Sequence, residues 1–285
     1  MITGRSYAKI NLCLDITGTA ENGMHTVDMV MQTVSLYDEI FIEQAGAFSL
    51  TAENIELPKE NTLSIAAALF FTLTGRAPHV HIHLVKHIPE KAGLGGGSSN
   101  GAAVLRMLDK LFDTQLDQST LLDMAALIGS DAPFFLDGGC MRATGTGTVL
   151  SPVHNRCKLD YMLLIKPESG VSTKAAYELY DTLPPSKPCD KSTIYALESG
   201  KNDAYFRSAG NALQTAGSIL CPEVQQIISE CKKKGADLAL MTGSGSCIFA
   251  VFGDNAALGA SCTRFSSRYP FAVEVRPVDF GSEIL

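Results

Sequence analysis

A chain of 285 residues that is 46% hydrophobic and 19% charged, with a formal net charge of −7, has the length for two modest domains or one large one and enough apolar side chains for a full core. Its Lys and Arg are dispersed, which excludes a nucleic-acid binder, since phosphate neutralisation needs a basic surface. No run approaches the ~18 apolar residues of a membrane span, and the N-terminus has neither the long apolar stretch nor the small-residue cleavage site of an export signal.

In chain order, Lys9 to Thr17 alternates as a strand, with Ile10, Leu12, Leu14 and Ile16 on a core face and Lys9, Asn11, Cys13 and Asp15 on a face open for chemistry. Further strands are predicted at Val34–Glu43, Phe48–Ala52 and Val80–Val85, and the Ala-, Leu- and Phe-rich stretch Asn61–Thr74 reads as a buried helix. His79, His81 and His83 alternate opposite Val80, Ile82 and Leu84. Three imidazoles on one face can ligate metal, but sequence places no carboxylate or Cys to complete the site, and an exposed polar face explains the pattern.

A helix is predicted from Ser98 to about Phe112, and a second is opened by Asp117, with a capping signal over Ser119–Asp123, and runs to about Ile128. Next come a buried strand at Tyr161–Pro167, a loop at Leu183–Ser192, helices over Asp203–Gly217 and Glu223–Lys234, and strands at Leu238–Thr242, Cys247–Phe252 and Ala272–Pro277. The pattern gives two α+β halves with a soft boundary near residue 155, dividing 1–155 from 156–285. The eight cysteines are scattered, without C-x-x-C pairs or structural-zinc spacing, as free thiols in a reducing cytoplasm would be.

The most informative segment is Ile88 to Ala103, where Gly93, Gly95, Gly96, Gly97, Ser98 and Ser99 precede a helical run. Glycines let the backbone approach phosphate oxygens, and the helix adds its unpaired N–H groups and the positive end of its dipole. Rival motifs fail on spacing. No Gly-Lys-Ser/Thr ends the loop, and Ser98 stands where a dinucleotide fingerprint wants its third glycine. Asp279-Phe280-Gly281 lies too near the C-terminus for an activation loop to follow.

Pro89 to Ala103 resembles motif 2 of the GHMP kinases, Ala8-Lys9-Ile10-Asn11-Leu12 their motif 1, and Leu240 to Cys247 their motif 3, in order and at ordinary spacing. Gly23-Met24-His25-Thr26 and Gly129-Ser130-Asp131-Ala132-Pro133 sharpen the resemblance toward the 4-diphosphocytidyl-2-C-methyl-D-erythritol kinases. The resemblance implies an α+β, two-domain GHMP kinase fold with a ribosomal-protein-S5-like, ATP-binding N-terminal domain and a ferredoxin-like C-terminal domain. It also implies ATP and Mg²⁺, a cytidine-diphosphate-bearing small molecule phosphorylated on its 2-hydroxyl, no nucleic-acid or membrane partner, and a cytoplasmic enzyme of the non-mevalonate isoprenoid pathway. A homoserine- or mevalonate-type kinase, or a non-catalytic nucleotide-binding relative, is the alternative.

Residue by residue, the resemblance makes Lys9 and Asp131 catalytic, with Asp131 the base for the acceptor hydroxyl. Read from spacing alone, Asp131 is a turn or cap residue and Lys9 a solvated edge lysine. Pro89, Gly93, Leu94, Gly95, Gly96, Gly97, Ser98 and Ser99 would hold ATP, with Asn61 and Lys86 near its base or ribose. Asn11, Met24, His25, Tyr177, Thr242 and Gly243 would meet the acceptor. Met24 stands where most members have Tyr and could cover the cytosine only through its thioether. Leu179 and Tyr180 are alternatives to Tyr177, and a buried helix position explains that residue equally well. Ser99 or Asn100 could touch the metal, but no protein ligand is assigned.

Overall fold

A computed structural model describes residues 1–184 and 191–285; most of the loop expected over Leu183–Ser192 lies outside them. The chain opens with a long hairpin, β1 (Ile2–Thr19) and β2 (His25–Gln44). Both strands exceed their predicted lengths because register shifts at Tyr7/Ala8, Asn11/Cys13 and Ile16/Gly18 reset the alternation on which a period-of-two reading depends. The face of β1 expected to be open for chemistry reaches a cleft through Lys9 and Asn11. Ile10 and Leu12 on the core face share a buried cluster with Leu164 and Phe249 of the C-terminal half, and Lys9 and Asn11 on the other face are only 4% and 1% exposed.

β3 (Ser49–Glu53), α1 (Thr62–Thr74) and β4 (Val80–Val85) form a crossover unit with β3 parallel to β4. Asn61 caps α1, its Oδ1 accepting from the Leu63 and Ser64 N–H groups while Ser64 Oγ accepts from the Asn61 N–H. Such a box contributes about 1 kcal/mol. α2 (Gly96–Phe112) starts two residues before its predicted beginning, and α3 (Gln118–Ile128) is capped by Asp117, not by the Ser119–Asp123 signal. α4 (Ala132–Asp137), β5 (Cys140–Gly145) and β6 (Val149–Pro152) are too short to show a period.

The second half comprises β7 (Met162–Lys166), α5 (Thr173–Tyr180), α6 (Lys191–Glu198), α7 (Asn202–Ser208), α8 (Gln214–Leu220) and α9 (Glu223–Lys233). These are followed by β8 (Ala236–Met241), β9 (Ile248–Phe252), α10 (Asn255–Ser266), β10 (Phe271–Val275) and β11 (Ser282–Ile284). The first sheet runs β11-β1-β2-β4-β3, with β5 pairing the first half of β2 and β6 beside it. The second runs β10-β7-β9-β8, all antiparallel. That is the strand order of a ferredoxin-like β-α-β-β-α-β unit, as the resemblance implies. No helix among the described residues is long and apolar enough to cross a membrane.

The single helix expected over Asp203–Gly217 is two, α7 and α8, because the residues between them leave the helix to bind β1 and the 241–243 turn. Leu14 N–H donates to Gly210 O and Ala212 N–H to Leu14 O, both at 2.9 Å. Asn211 Nδ2 donates to Met241 O (2.7 Å) and Gly243 O (2.8 Å), and its Oδ1 accepts from Leu213 N–H. A side chain that satisfies three backbone groups outcompetes helix continuation. Asn211→Ala strands two carbonyls in a buried setting and is expected to lower unfolding stability by about 2–4 kcal/mol. Urea denaturation checks this, and a midpoint indistinguishable from wild type would contradict it.

Candidate active site

A cleft of about 1010 Å³ is lined by the 89–98 loop, the Lys9–Asn11 segment of β1, the turn 129–131, α5 and the loop 243–245. The first of these requires its glycines. Gly93 and Gly95 have φ of +73° and +71°, a region disfavoured for residues with a Cβ. A Cβ on Gly93 would lie 2.1 Å from Thr242 O, and one on Gly95 2.7 Å from Phe135 Cζ and 3.1 Å from Lys9 Cγ. Gly95 is the N-cap of α2, so Gly96, Gly97 and Ser98, which line the cleft, lie in the first turn, where N–H groups lack helical acceptors.

Lys9 Nζ donates to Asn11 Oδ1 at 2.6 Å and sits 3.4 Å from Asp131 Oδ2. The plain reading of Lys9 as a solvated edge lysine does not hold, because it is buried; Asp131 does sit in a turn at the N-cap of α4, but its side chain makes no cap hydrogen bond. Its carboxylate, 26% exposed, remains directed at Lys9. Asn11 is fixed in turn, its N–H donating to Thr242 Oγ1 at 2.9 Å and its Nδ2 to Met29 Sδ at 3.1 Å. Thr242 therefore acts behind the cleft wall, while Gly243 lines the cleft itself.

The other end of the cleft joins the two halves. His25 begins β2; its ring lies over Tyr177 of α5 with centroids 4.7 Å apart, and its Nε2 is 2.7 Å from Asp181 Oδ1. Of the three candidates on α5, Tyr177 lines the cleft and Tyr180 meets His25 edge-on at 6.4 Å, whereas Leu179 does not line it. Burial, with the Asp131 charge adding to it, pushes the Tyr177 phenol up to about 12. Met24 is at the rim, 49% exposed. Asp181 was not singled out by sequence; its signal is the i,i+4 spacing that puts it on the Tyr177 side of the helix.

Lys86 lines the cleft beside Gly96, and burial pulls its ammonium below the usual lysine range, with Asp38 opposing. Asn61 also lines the cleft, although its carbonyl oxygen is committed to capping α1. Ser99 is fully buried, its hydroxyl without a hydrogen-bond partner. The histidine strand serves its neighbours on β3: His81 Nδ1 pairs with Ser49 Oγ at 2.8 Å, and His83 with Thr51 Oγ1 at 2.9 Å and Glu53 at 3.3 Å. Among the described residues no three His, Cys, Asp or Glu side chains converge as a metal site, and the seven described cysteines are free thiols.

Residues 61–139 match the GHMP kinases N terminal domain and residues 194–265 the GHMP kinases C terminal domain. A protein of Caldicellulosiruptor saccharolyticus named 4-diphosphocytidyl-2-C-methyl-D-erythritol kinase is 37% identical over 253 residues, 87% of each chain. The crystal structure of a 4-(cytidine 5'-diphospho)-2C-methyl-D-erythritol kinase, 27% identical, superposes with a TM-score of 0.80 across 96% of this chain and 98% of its own. That of a homoserine kinase from Cytophaga hutchinsonii, with a TM-score of 0.75 over 100% and 97% of the two chains, is 17% identical and shares the fold alone. With both halves matched and the identity sustained along nearly the whole length, the chain belongs to the GHMP kinases, in the family of the 4-diphosphocytidyl-2-C-methyl-D-erythritol kinases.

Proposed function

We propose that this protein transfers the γ-phosphoryl of ATP to the 2-hydroxyl of 4-diphosphocytidyl-2-C-methyl-D-erythritol, as a cytoplasmic enzyme of the non-mevalonate isoprenoid route. The observation that carries this reading is one cleft holding a glycine-rich helix start, a Lys9–Asp131 pair and a His25–Tyr177 ring pair. Residues 1–155 would carry the ATP site, and residues 156–285 would close the cleft.

Phosphoryl transfer in line needs no covalent enzyme intermediate, so positioning and charge do most of the work. The first-turn N–H groups of α2 bind phosphate oxygens. Lys9, held by Asn11, presents its charge to the attacking and transferring oxygens and stands 3.4 Å from the Asp131 carboxylate. A carboxylate is too weak a base to deprotonate an alcohol outright, but Asp131 accepts the proton as charge moves to the phosphoryl group. Tyr177 offers the cytosine a ring face. Asp181 on His25 Nε2 leaves Nδ1 for the base edge. Met24 supplies a thioether at the rim.

The donor set suits Mg²⁺ carried in on the nucleotide. The cleft offers hard oxygens from Ser98, Asn100 and Asp131 and, among the described residues, no three-residue carboxylate, His or Cys cluster to hold a cation alone. When bound, the ion neutralises charge on the β- and γ-phosphates.

Purified protein supplied with ATP and Mg²⁺ is expected to release ADP with 4-diphosphocytidyl-2-C-methyl-D-erythritol and not with homoserine or mevalonate, and CDP should inhibit by competing with the acceptor. Silence with the cytidine substrate at high enzyme concentration would sink the assignment.

A further inference from the structure

Asp38 lies in the interior of β2, opposite Ser6 of β1, and is completely buried. Its carboxylate takes three donors. Oδ1 accepts from the N–H groups of His87 and Ile88, and Oδ2 accepts from Lys86 Nζ, all at 2.7 Å. Lys86 Nζ also donates to Ile88 O, so the aspartate, the lysine and the turn that follows β4 are tied into one unit.

That unit abuts the start of the nucleotide helix. A Cβ placed on Gly96 would lie 3.0 Å from Lys86 Nζ and 2.9 Å from Ile88 Cγ2. An ammonium has three N–H donors, and two are directed at Asp38 and Ile88. Since Lys86 lines the cleft, the third is left for a ligand.

We infer that Asp38 is a positioning residue for the nucleotide: it holds the Lys86 ammonium beside Gly96 with one N–H directed at an acceptor atom of ATP. Without the carboxylate, a buried ammonium either swings toward water or loses its proton, and in both cases the bond to the nucleotide is lost. The inference rests on ATP being the phosphoryl donor and is independent of the acceptor's identity.

Asp38→Asn keeps an Oδ1 acceptor for the two backbone N–H groups and replaces the oxygen facing Lys86 with an amide donor. Calorimetric titration with a non-hydrolysable ATP analogue and Mg²⁺ is expected to show affinity reduced about 10–100-fold, the loss of one charge-assisted hydrogen bond. CDP affinity should stay within about twofold, because a charge-assisted bond is lost at the nucleotide end alone. In the kinase assay the ATP KM should rise while kcat at saturating ATP is largely kept.

Lys86→Met should show the same selective loss, and the double variant should bind no worse than Lys86→Met, since the two act through one bond. If Asp38→Asn does not fold, Asp38→Glu, which keeps the charge but displaces the carboxylate from Lys86 Nζ, decides by the same comparison, with Lys86→Met as the reference for loss of the lysine's bond. Wild-type analogue affinity in either variant, equal losses for both ligands, or additive losses in the double variant would overturn the inference. A wild-type protein that binds the analogue but not CDP would instead count against the acceptor assignment, and the analogue titrations and the kcat-against-KM split would still decide the role of Asp38.

Discussion

Replacing Asp131 with Ala is expected to lower kcat by about 10²–10⁴-fold, the range a positioned general base supplies, with ATP-analogue affinity nearly unchanged. The separation follows from geometry. Asp131 stands 3.4 Å from Lys9 and makes no cap bond to α4, so its removal neither unravels a helix nor reaches the N–H groups of α2. Asn in its place keeps the shape and loses the basicity, so its rate should fall nearly as far. Single-turnover measurements with saturating nucleotide read the chemical step directly. An Asp131→Ala enzyme with wild-type turnover would remove the carboxylate from its role and leave Lys9 to act on the phosphoryl group alone.

Gly93→Ala should be nearly as damaging by a different route. At φ +73° an alanine is strained by about 1–2 kcal/mol, and its Cβ would stand 2.1 Å from a backbone oxygen, Thr242 O, which no side-chain rotation can relieve. The 91–95 segment must then move away from the 242–247 loop, to which it is held by the Cys247 N–H bond to Ala92 O and the Ser246 N–H bond to Lys91 O. A shift of about 1 Å at a transfer site costs on the order of 10²-fold in rate, and overpacking adds about 1–3 kcal/mol of instability. Both kcat/KM for ATP and the urea midpoint are therefore expected to fall. A variant that loses neither would mean that the two loops are not tightly registered.

What sequence could reveal follows from which forces act locally. The 93–99 loop was legible because a positive φ and close backbone approach demand glycine wherever they occur, so the requirement is written in residue type. Lys9 and Asp131 were not, since β1 and α4 meet only through the tertiary fold, and only resemblance paired them. Asp38 reads in sequence as one polar residue in the alternation of β2, and nothing local tells a solvated carboxylate from one enclosed by His87, Ile88 and Lys86. The break between α7 and α8 was hidden for the same reason: Asn211 leaves the helix to reach acceptors on Met241 and Gly243. β11 has three residues and pairs with β1 from the opposite end of the chain, beyond any periodic window.

The cleft reading also gives Met24 a place. His25 lies against the Tyr177 ring, and Met24 stands at the rim of the same cleft. On the proposed function, the cytosine base is expected to meet the Met24 thioether at the rim, with Asp181 holding the His25 imidazole.

The central claim is that one cleft delivers a phosphoryl group from ATP to a single hydroxyl of a cytidine-tagged polyol. Phosphorus and carbon NMR of the product made from carbon-labelled 4-diphosphocytidyl-2-C-methyl-D-erythritol tests it most directly. One ADP per product molecule, with the new phosphorus coupled to carbon 2, is the expected result. A phosphate on another hydroxyl, or ATP consumed without a phosphorylated acceptor, would contradict it.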